Sequence, residues 1–381
     1  LTVDSASALP GESADAALTS SIQVTPGAPV SVKAVTQPVN VAAGSTMSVT
    51  PTVRIYDAYD NWVSTDATST VTAKLLKLDN GSYVAASGVI SVTATASSGV
   101  AKFQSLRFDT TAAANYKLEY QITKISNVTV SDAKYVTSLT STFDITPGAA
   151  AKFTWIDEPS ASATNDVTMP TARIQIWDAY GNQTTASDDV TFTVTATATV
   201  GVTRTSFTGG SAASSAGVVR FDSMHLRGQV GQYTLAFTAQ DLNGNTITDA
   251  DFTSTKVVTL GFGAVDHIKL TTNASGIRNN VDFAVQPVVK IYDIDDNLVT
   301  NETGTVTATV SGSGAVNFRG SQSTSTTLAA VGGVADFGLA GNEIGLIGTT
   351  DDYTISYTYI GVSAVTQDVA LLAGAPHHLV W

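Results

Sequence analysis

Asp293-Ile-Asp295-Asp296-Asn297 places three carboxylates and a carboxamide within five residues, at the end of an apolar stretch. Such oxygen-rich sets suit a hard divalent cation: Ca2+ takes about six to eight oxygen ligands from carboxylates, amides and carbonyls. Calcium is therefore the one cofactor this sequence offers, with Asp293, Asp295, Asp296 and Asn297 as its ligands near a domain junction. The same side chains have a second use. Asp and Asn accept hydrogen bonds from backbone N–H groups a few residues on, which closes an Asx turn. Asp57 with Asn61 and Asp178 with Asn182 repeat the spacing with fewer carboxylates. The varying carboxylate number favours the turn and leaves the third copy as the calcium candidate.

Other chemistry is sparse. Asp241-Leu-Asn243-Gly-Asn245 with Asp249 faintly echoes an EF-hand loop, but Phe252 stands where the bidentate Glu belongs,. Asn243-Gly244 between alternating segments is better explained as a hairpin turn. The four histidines are dispersed, and the adjacent His377 and His378 would face opposite sides of a strand,. No histidine has the neighbourhood a catalytic triad needs, and no insertion large enough for a catalytic domain breaks the sequence pattern. The expectation is no enzyme. Trp155, Trp177 and Trp381 fall on alternating segments, where core packing is the default. Trp62 follows a turn asparagine and is the one candidate ligand-contacting aromatic. Asn-x-Ser/Thr sequons at Asn80, Asn127, Asn182, Asn273 and Asn301 are no more than chance would place in so Ser/Thr-rich a chain,.

The elements that must position these residues come in three copies. Gly27, Gly148 and Gly263 each open an apolar segment, and Asp57, Asp178 and Asp293 follow at a constant offset of thirty residues. Gly99-Val-Ala-Lys-Phe103, Gly217-Val-Val-Arg-Phe221 and Gly333-Val-Ala-Asp-Phe337 return in register. So do Tyr116-Lys-Leu-Glu-Tyr120, Tyr233-Thr-Leu-Ala-Phe237 and Tyr353-Thr-Ile-Ser-Tyr357. Apolar and polar residues alternate in both sets, the period of a strand with one buried face. The repeat is too long for a solenoid unit of roughly 20–50 residues and fits a whole domain of about 100. In the second copy, strands are expected at 150–155, 171–177, 189–196, 217–221, 232–239 and 253–260. Such a count of short strands, with Gly, Asn and Asp between them, points to an immunoglobulin-like sandwich. Tyr116, Tyr233 and Tyr353 suit the tyrosine-corner position of that fold, with an ordinary core aromatic as the alternative.

The segments Thr146-Pro-Gly-Ala-Ala-Ala-Lys-Phe153, Ile176-Trp-Asp-Ala-Tyr-Gly-Asn182, Gly217-Val-Val-Arg-Phe221 and Gly231-Gln-Tyr-Thr-Leu235 resemble the Ig-like repeats of large bacterial surface proteins. These are the invasin and intimin type and the stalk modules of giant adhesins, and filamin repeats share the outline. The resemblance runs from residue 18 to 381. It implies an all-β fold of three tandem immunoglobulin-like β-sandwich domains in an elongated array. Activity is not implied, since such modules serve as spacers, lattice elements and adhesion domains alike. The expected domains are 27–147, 148–262 and 263–373. Residues 1–26 form a linker and the closing strand of a preceding repeat, because 18–27 parallels 139–148. Residues 374–381 form the opening strand of a next one.

Composition agrees. The net charge of −13, with 19 basic residues scattered among 32 acidic ones, argues against a nucleic-acid partner,. No apolar run approaches the roughly 20 residues of a membrane span. The chain has no cysteine, which large sandwiches tolerate,. A chain starting at Leu1 fits a processed product or part of something longer. The expected function is a non-enzymatic extracellular structural protein of a bacterial or archaeal cell surface: a layer, a filament or an adhesin stalk. Its expected partners are copies of itself or adjacent repeats of a longer chain. The alternative is a calcium-dependent adhesion or carbohydrate-binding module that meets a host surface or glycan.

Overall fold

The computed structural model describes residues 21–86, 92–131, 135, 137–185, 190–198 and 205–376. His377, His378 and Trp381, and most of the linker assigned to 1–26, lie outside the described residues. All regular structure among the described residues is β. The chain divides into two compact units, Leu1–Ala150 with Trp177–Thr184, and Ala151–Ile176 with Thr185–Trp381.

In the first unit, Ser31–Thr36, Thr52–Tyr56 and Val100–Lys102 form one antiparallel sheet. Thr70–Asp79, Ala113–Ile125 and Phe143–Thr146 form the centre of the other. Val41–Ala42 leaves the first sheet and pairs in parallel with Phe143–Thr146, so the opening segment divides between the two sheets. This is an immunoglobulin-like sandwich. Alternation explains its core. Tyr116, Leu118, Tyr120 and Ile122 point inward from one strand and meet Val53, Ile55, Ala101 and Phe103 from the facing sheet. A strand's side chains alternate between faces, so one polar–apolar alternation makes both a core and a wet surface.

The plan recurs twice further along the chain. In the middle repeat, Ala150–Asp157, Ala172–Asp178 and Val218–Phe221 face Thr191–Ala198, Gly231–Gln240 and Thr255–Gly261. Ser211–Ser215 pairs with both sets and so joins the two sheets. Ser162–Thr164 runs parallel to Thr255–Gly261, as Val41–Ala42 does to Phe143–Thr146. In the third repeat, His267–Thr272, Val288–Tyr292 and Val334–Asp336 form one sheet, Ser325–Ala329, Thr305–Gly312, Asp352–Thr358 and Val365–Ala370 a second, and Val281–Asp282, Gly345–Gly348 and Val316–Phe318 a third, smaller one. All six strands expected in the middle repeat are present, with ends shifted by a few residues. Six short, mostly polar strands were not foreseen, among them Ser162–Thr164 and Thr205–Thr208.

The recurrent tyrosines are true corners. Tyr116, Tyr233 and Tyr353 donate their hydroxyls to the backbone carbonyls of Thr111, Gln229 and Thr349, at 2.8, 2.6 and 2.9 Å. Each ring is at most 2% exposed. The hydroxyl that burial would strand therefore fastens the turn leading into its own strand.

Candidate functional site

The constant thirty-residue offset is a hydrogen bond. Gly27, Gly148 and Gly263 donate their N–H groups to Oδ2 of Asp57, Asp178 and Asp293, at 2.8 Å in every case. Oδ1 of each aspartate accepts two further backbone N–H groups, from Tyr59 and Asn61, Tyr180 and Asn182, and Asp295 and Asn297. The asparagine side chain returns to Oδ2 in all three. One carboxylate thus ties the opening strand of a repeat to the turn after its second strand. Asp241 with Asn245 repeats the turn on an exposed hairpin. The EF-hand echo is thus an Asx-closed hairpin.

The turn asparagines also reach the preceding repeat. Asn182 Nδ2 donates to the Thr110 carbonyl at 3.2 Å, and its Oδ1 accepts the Ala112 N–H at 2.7 Å. Asn297 does the same to the Gly228 carbonyl and the Val230 N–H, each at 2.9 Å. Residues 110–112 and 228–230 are the tyrosine corners of the first and middle repeats, so each asparagine grips a corner that a tyrosine already holds. Asn165 answers from the middle repeat: its Nδ2 donates to Asp293 and Asp295, both at 2.9 Å, and its Oδ1 accepts the Gly228 N–H. Asn182, buried with both ends of its amide bonded, is no acceptor for a glycan,.

Close backbone approach marks the same points. A Cβ on Gly148 would stand 2.4 Å from the Ala43 carbonyl oxygen; one on Gly263, 2.6 Å from that of Asn165; one on Gly374, 2.5 Å from that of Asn279. Only glycine permits this seat, and Gly374 occupies it at the end of the third repeat as Gly148 and Gly263 do earlier.

These contacts decide how the proposed calcium ligands stand. Asp293 is fully buried, and five N–H contacts fill its two oxygens. Asp295 accepts from Arg227 Nε at 2.8 Å. Asp296 points elsewhere, to Lys269 and to His267 Nε2. Asn297 is engaged on the corner. The four side chains are adjacent in sequence, but their oxygens diverge and face cations and amide donors, so this set does not fit Ca2+. Among the described residues, no three His, Asp or Glu side chains cluster as a metal site. Trp62 is 40% exposed, yet Arg54 stacks on its ring at 4.7 Å and Nε1–H donates to the Gly99 carbonyl at 3.3 Å. It braces two strands. Trp155 stacks on Phe252 and meets Phe237 edge-on.

The electrostatics follow. Asp57, held first by the Gly27 and Asn61 amides, has its pKa lowered to about 2. Burial would raise Asp178 and Asp293, but the amide donors outweigh it and both end below the usual carboxylate range. A folded pKa below the unfolded one gives stability that is complete above pH ~4 and lost as pH falls through the folded value. NMR of the Asp57 carboxyl carbon should therefore show a midpoint near 2, with its turn loosening across the same range. A midpoint near 4 would mean the N–H cradle does not form in solution.

No protein-family model matches this chain, and no curated protein matches its sequence. Solved structures that it resembles include the Escherichia coli adhesin FdeC, at 15% identity, covering 92% of this chain and 100% of that one, with a TM-score of 0.33. The bacterial integrin-binding protein invasin aligns at 13% identity over 90% of this chain and 60% of its own, with a TM-score of 0.31. Domains 4–9 of the surface-layer protein SbsC align at 16% identity over 91% of this chain and 48% of theirs, with a TM-score of 0.24. The chain thus spans under two thirds of the invasin and SbsC structures. The Ig-like assignment rests on the strand order and tyrosine corners described above.

Proposed function

We propose that this chain is a non-enzymatic structural component of a bacterial cell surface, a series of Ig-like modules working as part of a surface layer, filament or adhesin stalk. One observation carries the reading: the buried polar side chains that recur in register are used to fasten a repeat or to join it to the next. Asp178, Asn182, Asn165, Asp293 and Asn297 direct their hydrogen-bonding groups to neighbouring backbone and to one another's side chains, and all are buried. A catalytic group must keep a reactive atom accessible to substrate; these do the reverse. The surface setting is taken from the resemblance to bacterial Ig-like repeats together with the cysteine-free, acidic composition.

Stretching single molecules from their ends tests the mechanical role. Modules of about 115 residues should unfold in successive steps, each releasing ~400 Å of contour at roughly 3.4 Å per residue. Extension in a single step, or without measurable resistance, would remove the reading.

A further inference from the structure

The three aspartate turns are built alike and engaged differently. Tyr59, Tyr180 and Asp295 hold the same position in them, two residues after the aspartate. Tyr180 lies against Gly44, which sits at φ 76° where only glycine is unstrained; a Cβ there would come 2.6 Å from the ring,. Its hydroxyl accepts from Arg107 Nη2 at 3.0 Å. Asp295 instead accepts from Arg227 and Asn165 of the middle repeat. Tyr59 does neither and is 87% exposed. Asn61 is likewise exposed, whereas Asn182 and Asn297 are 8% and 5% exposed.

A second observation lies beside it. In sequence, Ile22 and Val24 match Phe143 and Ile145 of the closing strand Phe143–Thr146. Phe143 and Ile145 are each 2% exposed, in the core of the first repeat; Ile22 and Val24 are 78% and 85% exposed and belong to no strand. Apolar residues in strand alternation, uncovered and continuous with an unused junction turn, mark a surface with a specific partner.

We infer that the Tyr59–Asn61 turn and residues 22–25 together dock a further Ig-like sandwich of the first repeat's own type, one that lacks its closing strand and takes residues 22–25 in that place. Its corner supplies a left-handed glycine beneath the Tyr59 ring, an arginine for the Tyr59 hydroxyl, and a carbonyl and an N–H for the Asn61 amide. A second copy of this chain does not meet that description. Its third repeat is closed already by Val365–Ala370, paired along Asp352–Thr358. Asn280 stands there at the Gly44 position, donating to the Leu346 carbonyl as Gly44 does to that of Phe108. The Asn280 Cβ would occupy the space the tyrosine ring needs.

The inference rests on the tandem-module reading above, and the two fail separately: stepwise unfolding under force needs only the junctions already within this chain. The test joins a second copy of residues 27–138 directly ahead of Leu18, so that 18–26 stands in the register of 139–147. Hydrogen exchange of the Ile22 and Val24 amides should slow by at least ~100-fold relative to the original chain. Asn61→Ala in the original repeat should then reverse that protection by about tenfold or more. In the unextended chain the same substitution should shift Tm by less than about 2 °C, because the side chain there is exposed and makes a single bond, to Asp57 Oδ2 at 3.1 Å,. Unprotected amides, an added module that stays unfolded, or protection indifferent to Asn61→Ala would each overturn the inference. So would an Asn61-dependent dimer of the unextended chain in sedimentation, which would make a second copy the partner.

Discussion

Asp293→Ala is expected to destabilise the third repeat by about 3–5 kcal/mol, the largest effect of any single substitution in the junction turns. The carboxylate accepts from Gly263, Asp295 and Asn297 backbone N–H groups and from the Asn165 and Asn297 side chains, all within 3.0 Å and with no exposed surface. Truncation leaves these donors facing a void. Each unmade bond to a charged acceptor costs about 1.5–3 kcal/mol, and water entering the void returns part of the total. Against a domain stability of about 5–15 kcal/mol the loss is a large fraction. Denaturant unfolding followed at the third repeat would measure it. Asp293→Asn should be nearly as damaging, because its amide would turn N–H groups toward the Gly263 and Asn165 donors. A cost below about 1 kcal/mol would show that the backbone holds the turn unaided. Calcium separates the turn from the cation reading. At a hundred times its Kd a bound ion adds ~2.7 kcal/mol, so a calcium-dependent rise in stability that Asp293→Ala removes would restore Asp293 as a ligand.

How far the sequence showed this depends on what each residue bonds to. The offset from Gly263 to Asp293 was visible because it is itself a hydrogen bond between two fixed points of the fold. Strands such as Gly231–Gln240 were visible because Tyr233, Leu235, Phe237 and Ala239 alternate inward. Ser162–Thr164 and Thr205–Thr208 carry little apolar signal; their partners Thr255–Gly261 and His225–Gly228 impose them from outside,. The tyrosine corner stayed undecided because the Tyr233 acceptor is a main-chain carbonyl, which every residue has. The oxygens of Asp293, Asp295 and Asp296 suggested a cation because sequence shows how many acceptors there are, not which way they point. The structure sends them to Asn165, Arg227 and Lys269 instead. Asn165 itself gave no warning, being one asparagine in a polar stretch whose partner lies 128 residues away.

Asn297→Ala is expected to cost about 2–3 kcal/mol, felt at the junction and not in either core. The side chain donates to the Gly228 carbonyl and to Asp293, and accepts from the Val230 N–H, while only 5% exposed. Alanine leaves a carbonyl and an N–H of the middle repeat's corner unpaired in a place water reaches poorly, and that desolvation sets the size of the effect. Val230 reports it directly, since its amide loses its acceptor: at a tenfold change per 1.4 kcal/mol, exchange should quicken by about 30- to 150-fold. Asn182→Ala should do the same to the Ala112 amide, because Ala112 donates to Asn182 Oδ1 as Val230 does to Asn297. The tyrosine corners should hold in both variants, for Tyr116 and Tyr233 bond the carbonyls of Thr111 and Gln229 without help from either asparagine. Unchanged exchange at Val230 and Ala112 would mean that water replaces the asparagines freely and that the grip on the corner contributes nothing. Quickened exchange together with retained corners would show that these two side chains hold the corners of the first and middle repeats in addition to the bonds of Asn165, Arg227 and Arg107, and do so separately from the folding of each sandwich.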